Sequence, residues 1–204
     1  MGLLRGSLAA IRHRLLRGRQ LRARRAAQYE QAYALLLREL YTDFSRPMAE
    51  IHLDMAWERL AAGKLDEATT LLKLADEDRL GTAARCEKRL LGAWALIEQG
   101  KPAEAETRLR ALEGEALDNA QARRRDELLV EACLARKDLE AARERAGAPE
   151  LSPWRLVAEA ELDAQKGDRA AAQALLAQAR EQLGARADAP WLRRRMDRLL
   201  REKR

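Results

Sequence analysis

The sequence predicts an all-α protein, a solenoid of about four helix–turn–helix repeats with flanking helices at both ends. Three observations carry this. A short turn motif, Gly63-Lys64-Leu65-Asp66-Glu67-Ala68, returns as Gly100 to Ala105, as Lys137 to Ala142 and as Gly167 to Ala172, at spacings of 37, 37 and 30 residues. Each copy closes one helical hydrophobic pattern and opens another, and helix, tight turn and helix at a period of 30 to 40 residues is the signature of stacked helical repeats. Only 8 of 204 residues are aromatic, while Ala, Leu, Arg and Glu abound, which disfavours a β-sandwich.

The chain opens on a basic amphipathic helix, 1–18. Leu4, Leu8, Ile11 and Leu15 form one stripe, and Arg5, Arg12, Arg14, Arg17 and Arg19 make a basic surface around it. Four roles suit such a helix: docking on the repeats, lying on an anionic membrane surface, binding an acidic face of a partner protein, or binding nucleic acid. The first 28 residues contain no aromatic on which a base could stack, so nucleic acid is the least favoured. A flanking helix follows within 19–46, with Tyr29, Tyr33, Leu36, Leu37, Leu40 and Phe44 as its apolar stripe and a break at Ser45-Arg46-Pro47.

The repeats occupy 47–183. The first pair is predicted over 47–62 and 65–75, the second over 83–99 and 103–112, the third over 120–136 and 139–146. The fourth opens with Ser152 as a capping residue and Pro153 in the first turn, where a missing N–H costs nothing, and covers 152–166 and 170–183. Gly184 stops it, and 184–204 supplies a basic C-terminal capping helix beginning near Trp191. Within each pair, glycine suits the tight backbone of the turn. The alanine five residues later sits where the second helix nears the first, so a larger side chain would push them apart. Trp57 and Trp94, each six residues before a turn glycine, support the same register.

The Gly-x-x-x-x-Ala turn, followed four residues after the alanine by Leu72, Leu109 or Leu176, with Ala75 and Ala179 extending the first and fourth copies, resembles the tetratricopeptide repeat. The third copy departs from it with Lys137 in the glycine position, and the first two spacings exceed the family's usual 34 residues. The resemblance implies a right-handed superhelix whose concave groove, lined by the first helix of each pair, holds a peptide or helix of another protein. In register with the turns, that groove would present Glu50, Leu53, Trp57, Glu87, Leu90, Trp94, Glu127, Glu131 and Glu161. Carboxylates interleaved with apolar anchors favour a basic, amphipathic partner segment. The alternative is that both tryptophans are buried between helices. Adaptors of this family that clamp a C-terminal carboxylate use basic and amide groove residues, and the glutamates here do not match that use.

Charge placement fits a binding protein. The net charge is +6, yet residues 1–29 carry +8 and 191–204 carry +5, leaving −7 on 30–190: a mildly acidic body between two basic ends. Catalytic constellations are not legible. His13 and His52 are the only histidines, Cys86 and Cys133 stand 47 residues apart in apolar settings, and the glycines are single, with no phosphate-binding Gly-rich loop. The expectation is therefore a non-catalytic adaptor or assembly factor, without metal or cofactor. The alternative is a peripheral membrane protein anchored by its first helix. The N-terminal order of apolar residues before arginines is the reverse of a secretory signal, and Gly6 stands where myristoylation wants Ser or Thr, so a cytoplasmic protein is expected, with the membrane surface as a secondary location.

Overall fold

A computed structural model describes residues 45–184 and 189–201; the two predicted N-terminal helices, including the basic surface of Arg5, Arg12, Arg14, Arg17 and Arg19, lie outside them. The regular elements among the described residues are all helices, without a strand. In order they are α1 (Ser45–Ala61), α2 (Leu65–Leu74), a 3-10 turn (Glu77–Arg79), α3 (Thr82–Glu98), α4 (Pro102–Arg110), α5 (Asn119–Ala135), α6 (Leu139–Arg145), a second 3-10 turn (Pro149–Leu151), α7 (Ser152–Gln165), α8 (Arg169–Leu183) and α9 (Pro190–Arg201). They form two compact units that divide between Leu91 and Gly92, inside α3.

The turns set the register. Gly63, Gly100 and Gly167 have φ of 77°, 75° and 86°, and Lys137, in the glycine's place, has φ of 63°. Four turns thus share one left-handed residue, and in three of them the sequence uses the residue that adopts it without steric cost. After each turn the chain re-enters a helix with the same spacing. Ala68, Ala105, Ala142 and Ala172 are all buried, as are Leu72, Leu109 and Leu176 four residues on and Ala146 at the equivalent place in the third copy. A side chain no larger than a methyl group lets the two helices of a pair approach closely. In the first unit α1 packs on α2; in the second, α4 on α5, α5 on α6, α6 on α7 and α7 on α8, each helix touching the next in sequence. The further contact of α5 with α7 brings together the first helices of the third and fourth copies.

Helix entries follow local chemistry. Asp118 and Gln121 form a capping box at α5, with Gln121 N donating to Asp118 Oδ1 at 2.8 Å and Asp118 N donating to Gln121 Oε1 at 3.4 Å. Asp138 and Asp168, each directly after a left-handed residue, accept from Ala141 N and Ala171 N at 3.3 and 3.0 Å. Ser152 is not a cap. The second 3-10 turn runs directly into α7, Ser152 is already helical, and Pro153 in the first turn is the part of that reading the structure keeps.

Because Gly100 has positive φ and open space where a Cβ would stand, its replacement tests backbone conformation alone. Gly100→Val should destabilise the protein by about 1 kcal/mol or more, read from the denaturant midpoint at unchanged m-value.

Candidate protein-binding face

Three register-equivalent residues define the site. Six positions before its turn residue, each first helix carries Trp94 (α3), Glu131 (α5) or Glu161 (α7), and these are 1%, 2% and 4% exposed. Within the second unit all three meet one element, α9. Trp191 packs edge-on against Trp94, with ring centroids 4.9 Å apart and planes at 71°. One turn on, Arg194 donates from Nη2 to Glu98 Oε1 at 2.7 Å, with its guanidinium 5.5 Å from the centre of the Trp94 ring. Trp94 Nε1 donates to that same carboxylate oxygen at 3.2 Å. Arg195, 7% exposed, places Nε 3.2 Å from Glu131 Oε1 and 3.7 Å from Glu161 Oε1.

The pattern on α9 explains why it fits. Trp191, Arg194, Arg195 and Arg198 fall at i, i+3, i+4 and i+7, one side of a helix, and Leu192, Met196 and Leu199 are buried beside them. Arg180 of α8 pairs with Asp197 at 2.5 Å, and Arg193 donates to the Gly184 carbonyl at 2.6 Å, tying α9 to the end of the last repeat. The C-terminal segment is thus more than an end cap, since Arg194 reaches back to Glu98 across 96 residues of sequence.

Hydrogen bonding at this face is incomplete although each carboxylate has a cation nearby. Lys137 reaches Glu161 Oε2 with Nζ at 3.1 Å, giving that carboxylate a second cation. Among the described residues, Glu131 Oε2, Glu161 Oε1 and Arg195 Nε and Nη2 are buried without a hydrogen-bond partner. Burial pushes the Glu131 carboxyl up to about 7, against the pull of Arg195 and then Arg198, with Glu98 and Glu161 adding repulsion. Near neutrality this carboxyl is therefore divided between its charged and neutral forms.

The expected groove residues are only partly open. Leu53 and Leu90 are core residues, and Glu127 is buried with Arg123 3.5 Å from it. With Trp94, Glu131 and Glu161 beneath α9, these six do not line an empty groove. The helices that carry them turn their register positions into the packed interior or toward α9. Glu50, Trp57 and Glu87, in the first unit, keep partial exposure. Glu98, Trp191, Arg194 and Arg195 were not among the expected site residues. The legible signal was the spacing of Trp191 and the arginines, which makes this chain's own C-terminus the kind of segment its acidic positions favour.

Elsewhere, burial of polar groups is structural. Glu106 of α4 gathers Arg110 at 2.6 Å, Arg136 at 2.8 Å and Arg145 at 3.5 Å. His52 is buried, which lowers its pKa despite a backbone hydrogen bond with Leu74. Cys86 and Cys133 are buried thiols in the first and second unit, and burial, reinforced by Glu106, pushes the Cys133 thiol up. Among the described residues no cluster of His, Cys, Asp and Glu could hold a metal ion, and no helix is long and apolar enough to cross a membrane.

Two predictions follow from this geometry. Lys137 holds a left-handed backbone while supplying a cation to Glu161, so Lys137→Gly relieves strain of about 1 kcal/mol and removes that cation. The stabilisation should be larger in a Glu161→Gln background than in the wild type, measured as a double-mutant cycle in urea. Glu131, its pKa raised in the folded state, contributes stability that is fully present below pH 4.5 and lost as pH rises through about 7. The melting temperature of the wild type should therefore fall relative to Glu131→Gln between pH 5 and 8.

Comparison of the chain with protein-family models, with curated proteins and with solved structures finds no match. The assignment of this face rests on its own residues.

Proposed function

We propose that the protein is a non-catalytic, tetratricopeptide-like adaptor or assembly factor, a right-handed helical-repeat array that binds a basic amphipathic segment of another protein. One observation carries the reading: the face marked by Trp94, Glu131 and Glu161 receives a helix bearing one tryptophan and an arginine pair. A repeat protein reuses the same register position in successive copies, so that position reports the ligand chemistry of the array. Trp57 is the counterpart of Trp94, and Glu50 and Glu87 stand at one register position, thirteen residues before Gly63 and Gly100. Their partial exposure suits contact with a partner. Aromatic anchors flanked by carboxylates bind a cationic helix through apolar burial and charge steering together. The reading places the protein in the cytoplasm and needs no cofactor.

Affinity capture of the full chain from its native source, followed by cross-linking mass spectrometry, tests this. The wild type should recover a partner cross-linked through a Lys/Arg-rich helical segment. Trp57→Ala, and Glu50→Lys combined with Glu87→Lys, should each reduce recovery at least tenfold while leaving the melting curve cooperative. Undiminished recovery with both variants would remove the first-helix face from the interaction.

A further inference from the structure

We propose that α9 is an exchangeable internal ligand, seated where a partner helix with tryptophan at i and arginines at i+3 and i+4 binds the second unit. The proposal rests on the binding role given above and adds its regulation.

Trp191, Leu192 and Met196 are almost fully buried, and apolar burial is indifferent to whether the side chains come from this chain or another. The polar contacts supply the selectivity. Arg195 lies within 4 Å of both Glu131 and Glu161, while Glu98 takes Arg194. Buried ion pairs contribute little net stability because desolvation offsets attraction, but removing one partner is costly. A face built this way rejects helices without arginines in register and holds a correctly spaced one only moderately. Glu131 Oε2 and Glu161 Oε1 accept no hydrogen bond here, although Arg195 Nε stands 3.7 Å from the latter, so a ligand with better-placed donors would bond to both.

The helix itself suits exchange. At 12 residues α9 lies at the length where an isolated helix is only marginally stable in water, so its seat contributes to its order. Covalent attachment gives it a high effective concentration at that seat, which a free helix must overcome. An attached competitor therefore weakens an external ligand without abolishing its binding.

A fluorescent peptide of residues 189–201 is the probe, titrated by anisotropy against the full chain. Arg195→Glu sets a carboxylate against Glu131 and Glu161 and releases α9, and Trp191→Ala weakens its anchor. Both variants should bind the peptide at least tenfold more tightly than the wild type. Adding Glu161→Lys to Arg195→Glu should abolish the gain, and a scrambled peptide of equal composition should bind none of the chains. Two results overturn the proposal. One is that both variants keep helix content and a cooperative melt yet bind no better than the wild type. The other is that both lose cooperative melting, because a body that cannot stand without α9 cannot exchange it. A chain that exchanges the peptide but captures no native partner loses the binding role, whereas one that captures a partner but never exchanges the peptide loses only the internal ligand.

Discussion

A single backbone requirement, one left-handed residue at Gly63, Gly100, Lys137 and Gly167, sets the phase of the helices on either side of each of these turns. Reversing the chain within three residues needs positive φ, and the choice of residue there fixes the phase of both flanking helices. Once that phase is set, the residue five positions on must be alanine-sized. The residue six positions earlier falls on the face that α9 covers in the second unit. Lys137 shows how strong the requirement is. The third turn keeps the left-handed conformation with a side chain that resists it, and that side chain is the one that reaches the buried Glu161.

The helices and turns were largely legible because their signals are local. Gly63, Gly100 and Gly167 announce turns by conformational necessity, and the alanine and leucine positions after them follow a 3.6-residue period. Even the lysine-bearing copy was readable, since its frame survived the loss of glycine. The two 3-10 turns were not foreseen, and Ser152 was misassigned as a cap. Serine before proline suits both a cap and a first helical residue, and only the preceding turn of Pro149–Leu151 decides between them.

The acidic and aromatic register positions were legible in the sequence, and what packs on them was not. Register counting placed Trp94, Glu131 and Glu161 at equivalent positions, and their mixture of aromatic and acid pointed to a basic amphipathic ligand. Nothing local in the sequence says that residues 191–195 fold back to fill that description. Glu98 and Arg194 lie 96 residues apart, and such a pairing becomes visible only when tertiary structure brings the helices together. Leu53 and Leu90 illustrate the opposite error: a helix that is buried on more than one side is apolar on each of them, so periodicity alone does not separate an open face from a buried one.

The two buried cysteines give the molecule a built-in gauge of its own breathing. Thiolate, and not thiol, attacks an alkylating reagent, and Cys133 is doubly protected, by exclusion of the reagent and by a pKa held above the ordinary thiol value. Its alkylation accordingly counts openings of α5, while Cys86 counts those of the N-terminal part of α3. Since the thiols belong to different units, the ratio of their labelling rates compares the local stabilities of the two halves directly, with no engineered probe.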